Sequence, residues 1–199
     1  MTEKIIQSKK DLHFWISEDR KRNNANFPYW KYRAKLFIGN ENAIVRHYLY
    51  VLRHCEYHYN NKGKWNKFLY IIFKIRLCRL GRKYNLQIPI NKTGYGLRMM
   101  HLAGGGGVLL NICRCGIYCG FNSGVLIGNK DDEDARPTIG DYTSFGPGAK
   151  AFGKITIGNN VFVAANAVVT KNIPDNCICG GIPAKIIKEK QPKLSNNAI

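Results

Sequence analysis

Apolar positions in the back half of the chain return every six residues, a spacing that fits neither the 3.6 of a helix nor the alternation of a half-buried strand. Counting by six from Ile139 meets Phe145, Ala151, Ile157, Val163 and Val169. Four residues after each of these leaders stand Thr143, Ala149, Ile155, Val161, Ala167 and Ile173, all small or β-branched. Gly140, Gly146 and Gly158 directly follow three of the leaders. Carried backwards, the frame meets Leu109, Cys115, Phe121 and Ile127, with Cys113, Cys119 and Val125 in the second inward position. Such a period suits a prism with six residues to a side, and three hexads then complete one turn of a parallel β-helix. The leader fills a face, the smaller residue fits the corner, and Gly or Asn, as in "IGNN", accept the corner's backbone angles. One coil cannot bury its own apolar face, so the stack needs covers at its ends. The front segment and the tail "PAKIIKEK" are expected to supply them.

Position 133, where the frame asks for an apolar residue, is Glu. "NKDDEDARPT" is therefore expected as a loop pushed out of the prism, the kind of place where substrate contacts gather.

Ahead of the repeat the pattern turns helical. Ser8 with Asp11 three residues on is a capping signal for a helix through about Lys21. "FPYWKYRAKLF" reads as a second helix. After Gly39 and Asn40, "ENAIVRHYLYVLRHCEYHYN" sets Ile44, Tyr48, Val51, Leu52 and Cys55 on one face. A fourth helix, "WNKFLYIIFKIRLCRLGRKY", is expected to turn Trp65, Phe68, Leu69, Ile72, Ile75 and Leu80 inward and Lys67, Lys74, Arg79 and Lys83 outward. The expected organisation is a helical unit over 1–87, a β-helix over 88–188 and a flexible tail over 189–199. The fold class is mainly β, a parallel β-helix of hexapeptide repeats preceded by a small α-helical unit.

No stretch reaches the roughly 20 apolar residues that cross a bilayer, and the first residues lack the apolar core of a secretion signal, so a cytoplasmic protein is expected. Net charge is +18, and residues 1–90 hold 19 Lys/Arg against 6 Asp/Glu. That surplus attracts nucleic acid, anionic lipid and phosphorylated small molecules alike. The seven Cys match neither a paired zinc pattern nor a secreted disulfide framework, which points to reduced, mostly buried thiols and no metal. In "HCEYH", His54 and His58 stand one helical turn apart, but the zinc-protease arrangement has Glu directly after the first His, and Cys55 stands there. A solvated helix face is expected.

The hexads, the phrase "GGIPAKII" after "NAVVTKNIPDN", and "GLRMMHLAGG" ahead of the coils together resemble the serine acetyltransferase branch of the hexapeptide-repeat acyltransferases, over roughly residues 88–188. The resemblance implies a left-handed coil, a homotrimer of parallel prisms and acetyl-CoA in the groove between neighbours. By position it makes His101 the base that activates an acceptor hydroxyl, a role imidazole suits near neutral pH. Gly104 to Gly107 beside it would let the backbone approach a ligand. The matching cofactor positions are Gly148, Ala149, Ala164, Ala165, Lys171, Gly180, Ala184 and Lys185, the small residues leaving room for the pantetheine arm and the lysines suiting phosphates.

Family members that acetylate serine usually carry Asp directly before the catalytic His and an Arg-His pair before the Pro that follows the loop. Here Met100 and Ala135-Arg136-Pro137 occupy those places, leaving Arg136 as a cation for the acceptor's carboxylate or phosphate. "NLQIPINKTGYG" also offers no carboxylate to orient His101. The expected activity is therefore acetyl transfer to a sugar hydroxyl of a glycan or polysaccharide precursor, with serine as the alternative acceptor. The basic front unit would rest against anionic lipid at the inner membrane face, with no nucleic acid bound. A non-catalytic basic protein gripping nucleic acid or membrane is the alternative from another class.

Overall fold

In the computed structural model, which describes residues 5–102, 106–130, 132 and 134–191, the hexads wind into triangular coils above four helices. The helices are α1 (Lys9–Arg22), α2 (Tyr29–Phe37), α3 (Glu41–Asn60) and α4 (Lys64–Tyr84). The strands follow as β1 (Leu86–Gln87), β2 (Arg98–Met100), β3 (Val108–Leu110), β4 (Arg114–Cys115), β5 (Gly120–Asn122), β6 (Val125–Gly128) and β7 (Thr138–Ile139). Then come β8 (Ser144–Phe145), β9 (Lys150–Phe152), β10 (Thr156–Ile157), β11 (Phe162–Val163), β12 (Val168–Val169), β13 (Cys177–Gly181) and β14 (Ala184–Glu189).

From β2 to β12 every third strand stacks on its predecessor, and β1 and β13 extend two of the stacks. β2, β5, β8, β11 and β13 form a first face; β1, β3, β6, β9 and β12 a second; β4, β7 and β10 a third. Pairing within each of these faces is parallel. Leaders stack on leaders inside, as Phe121 does on Phe145 with ring centroids 5.3 Å apart. Ile127, Ile139, Ile157, Val163 and Val169 are all sealed from solvent, each contributing roughly 1.5–3 kcal/mol by its burial.

The corner between the third and first faces shows why "IG" keeps returning. Asp141 Oδ1 accepts from the Ile117 N–H at 2.9 Å, Asn159 Oδ1 from Asp141 at 2.8 Å, and Asp175 Oδ1 from Asn159 at 2.7 Å. Each coil thus caps the backbone of the one before it. The chains approach so closely that a Cβ on Gly140 or Gly158 would come within 2.8 Å of the next coil's backbone. Tyr118, Tyr142, Asn160 and Asn176 turn this corner at positive φ in four successive coils.

The frame slips in the first coil. Leu110, not Leu109, is the inward partner of Ile127, and Leu109 faces out. One residue fewer then separates it from Cys115, so Ile112 fills the corner expected for Cys113, which is exposed. Cys78 is exposed as well, and the other five thiols are buried.

Ser8 and Asp11 form the expected capping box on α1. α3 is packed on several sides, so Ala43, Val45 and Leu49 join Tyr48, Val51, Leu52 and Cys55 in burial, and Ile44 is only half-buried. The core runs without a break from α3 into the column. α4 differs more. It carries two apolar stripes, and the one that packs holds Tyr70, Phe73, Leu77, Leu80 and Tyr84. Trp65, Phe68, Ile72 and Ile75, expected inward, are exposed, Trp65 to 80%. β14 pairs antiparallel with β13 as an added edge of the first face, leaving Ile186 and Ile187 exposed instead of plugging the column. Residues 192–199 of the expected tail lie outside the described residues.

His54 stacks on Phe73 of α4 with ring centroids 5.0 Å apart, and burial, then His58, pushes its pKa down to about 4, so the ring is neutral at pH 7. The pair in "HCEYH" is therefore helix packing, not a solvated face. Among the described residues no group of three His, Cys, Asp or Glu stands close enough to share a metal ion.

Candidate active site

The base of the column is held by one buried ion cluster. Arg53 of α3 is fully buried and donates to Asp19 at 2.8 Å, to Glu56 at 2.9 Å and to the carbonyls of Thr93 and Gly94 at 3.1 and 2.7 Å. Its guanidinium also lies 4.9 Å from the Trp15 ring centroid. Burial opposes the charge on Arg53, but Asp19 and Glu56 outweigh it and hold the group protonated, while burial pushes the Glu56 carboxyl up. Asp19 in turn accepts from the Leu97 N–H at 2.9 Å. At the end of α1, Asn23 donates to the Leu97 carbonyl at 2.7 Å and accepts from the Met99 N–H at 3.0 Å. The helical unit thereby sets the position of β2.

β2 delivers His101. Its ring is exposed, and its backbone has φ +59, a left-handed angle uncommon outside Gly. Seven residues, 101–107, separate β2 from β3, where only Ser123 and Gly124 separate β5 from β6. Gly104 and Gly105 lie outside the described residues. Glu41, in the first turn of α3, accepts from the His101 N–H at 2.6 Å. This carboxylate comes from 60 residues upstream and holds the backbone of His101, not the ring that the sequence around it offered no carboxylate to orient.

The strand register places the other expected residues. Met100 lies beneath Asn122, which continues through Gly146 and Ala164 to Gly180. One step further along the chain, His101 starts the edge that rises through Ser123, Pro147 and Ala165 to Gly181. Gly148 stands at this same edge, and Ala184 and Lys185 pair with Gly181 and Gly180 at its top. Ala149 does not line it; its side chain is buried in the core. Lys171 is exposed at a different corner, between the second and third faces, and Arg136 sits half-buried in the loop after β6 at that corner too. Within one chain, six of the eight cofactor positions thus gather above His101, while Lys171 and Arg136 stand one face away.

One cleft opens beside His101, and a second adjoins it through Asn24 and Arg98. One, of about 210 Å³, is lined by Asn23, Asn24, Glu41, Arg98, Met100 and His101 among others. The other, of about 310 Å³, is lined by Glu18, Lys21, Arg22, Asn24, Arg98 and Tyr118.

Triangular parallel coils built on hexads, with a His at the foot of an edge of small residues, define a hexapeptide-repeat β-helix protein. No family model matches the chain. It is 34% identical over 101 residues to a serine acetyltransferase of Synechococcus elongatus, covering 50% of this chain and 41% of that one. It is 30% identical over 161 residues to that of Buchnera aphidicola, covering 76% of this chain and 61% of the relative. The crystal structure of a serine acetyltransferase in complex with coenzyme A from Brucella abortus aligns with TM-score 0.65 at 21% identity, covering 92% of this chain and 70% of that one. The chain is thus serine acetyltransferase-like, with the left-handed β-helix that the hexads' resemblance implied. It spans about half the length of the curated relatives it matches.

Proposed function

We propose that this protein is an acetyl-CoA-dependent O-acetyltransferase in which His101 takes the proton from an acceptor hydroxyl. The alignment of the exposed His101 with the small-residue edge above it carries this conclusion. Acetyl-CoA, when bound, supplies the activated acetyl thioester. Gly148, Ala164, Ala165 and Gly180 carry no side chain beyond Cβ, so an extended pantetheine arm has room along that edge. Lys185 at its top adds a point charge for phosphate. The edge is long enough for such an arm, since four strand spacings separate the His101 and Gly181 levels, about 19 Å.

Arg136 and Lys171 complete such a site only from a neighbouring copy, because their corner lies one face away in the same chain. That separation supports a homotrimer whose grooves each use two different edges. The relatives' names favour L-serine as acceptor over the sugar hydroxyl expected from the sequence. Release of free CoA thiol is the test. L-serine should accelerate it above hydrolysis more than neutral monosaccharides do; a rate no faster with any acceptor than with water overturns the proposal.

The helical unit supports a peripheral location. α4 carries seven Lys/Arg and no Asp/Glu while exposing Trp65, Phe68, Ile71, Ile72 and Ile75. No described helix is long and apolar enough to cross a bilayer. A basic helix with an exposed aromatic and aliphatic stripe matches an anionic lipid surface. The protein should co-sediment with vesicles containing 30% phosphatidylserine and lose most of that binding as Trp65→Ala/Phe68→Ala. Equal binding to pure phosphatidylcholine, or self-association abolished by the same variant, would assign the face otherwise.

A further inference from the structure

α1 ends in Arg20, Lys21 and Arg22, and cations at a helix C-terminus are ordinary. That does not explain the second guanidinium facing them. Arg98 comes from β2, and it is flanked on both sides by the residues that Asn23 clamps: Leu97 through its carbonyl and Met99 through its N–H. Arg22, directly before Asn23, thereby starts from a backbone held against that of Arg98, and the two line one cleft. Burial, then the charge of Arg98, pulls Arg22 below its usual pKa. The Arg22 Nε is occluded and has no hydrogen-bond partner.

The nearby carboxylates are already used. Glu18 pairs with Lys21 at 2.7 Å and accepts from the Tyr118 hydroxyl at 2.6 Å; Glu41 holds the His101 N–H. Among the described residues, no ion pair engages Arg22 or Arg98. Two guanidinium groups that share one cleft repel, and a shared anion relieves that cost while filling two forked donors. Both face the 310 Å³ cleft, and Arg98 also lines the cleft that reaches His101. Arg98 and His101 are three residues apart, about 10 Å along an extended strand.

We propose that Arg22 and Arg98 form an anion subsite that takes a carboxylate or phosphate on the acceptor while its hydroxyl faces His101. This rests on the acetyl-transfer proposal for the link to His101, but not for the binding of the anion. The acceptor is accordingly charged, either an amino acid or a phosphorylated sugar.

Two measurements test it on the full chain. Inorganic phosphate is titrated calorimetrically into the native protein, Arg22→Gln, Arg98→Gln and, as a control for the general positive charge, Lys10→Gln. The Kd should rise about ten-fold in each Arg variant, partly restored in Arg98→Lys, and stay unchanged in Lys10→Gln. Phosphate affinity that is absent, or insensitive to both Arg substitutions in folded protein, overturns the subsite. In the second measurement, acetylation of L-serine is compared with its methyl ester, and of a sugar 1-phosphate with the free sugar. Arg98→Gln should raise KM about ten-fold for the charged acceptor of the active pair, with kcat within about two-fold and the neutral partner unaffected. The pair that responds identifies the anion's source. Native turnover of neutral and charged acceptors at equal KM overturns the subsite and leaves acetyl transfer standing. Phosphate binding that depends on Arg98 without acetylation of any acceptor leaves the subsite standing and removes acetyl transfer.

Discussion

His101→Ala should lower acetyl transfer about a hundred- to ten-thousand-fold, the usual contribution of a positioned general base, with CoA affinity within about two-fold of native. The separation of these effects follows from placement. His101 is exposed, so its ring supports no core packing. The edge of small residues above it is built from other coils and keeps its shape. A melting temperature close to native together with lost turnover is the expected pair of results. Native turnover in the variant would remove His101 from the chemistry and leave the acyl donor's groove without a base.

The second large effect belongs to Arg53. Its replacement by Ala should cost about 3–5 kcal/mol in urea denaturation, because Asp19 and Glu56 are left as buried carboxylates with no counter-charge. The carbonyls of Thr93 and Gly94 lose their donor in the same step. Arg53→Met combined with Asp19→Asn and Glu56→Gln should recover a substantial part, since the penalty arises mainly from the orphaned charges. A loss below about 1 kcal/mol in the single variant would show the cluster to be dispensable. Activity should fall before global unfolding, because Asp19 and Asn23 connect this cluster to β2 and so to His101.

The repeat made the column legible from the chain alone, because a period of six is imposed by geometry that every coil must obey. It failed where the first coil shortens: the slip from Leu109 to Leu110 costs one corner residue, and Ile112 replaces Cys113 within a tolerance that a fixed step cannot register. α4 was legible as a helix but not in its facing. It offers two apolar stripes, and only the packing of Phe73, Leu77 and Leu80 against its neighbours decides between them. His101 stood out through its surrounding motif, whereas Glu41 carries no local signal, since its role exists only once α3 meets the end of β2. The same holds for Asp19 and Arg53, 34 positions apart. The placement of the expected site residues at two corners was present in the order of faces, yet it needs the strand register before Arg136 and Lys171 can be assigned to a different corner from Ala164 and Ala165.

The stacked construction also turns the column into a measuring rod. Each added winding lengthens the rising edge by one strand spacing, about 4.8 Å, while the backbone of His101 stays held at the bottom by Glu41 of α3. Insertions or deletions of a whole winding therefore change the length of the edge without disturbing its foot, whereas a fractional insertion shifts every corner above it. Under the proposed acetyl transfer, size selection on the donor and reactivity toward the acceptor would be separately adjustable in this architecture.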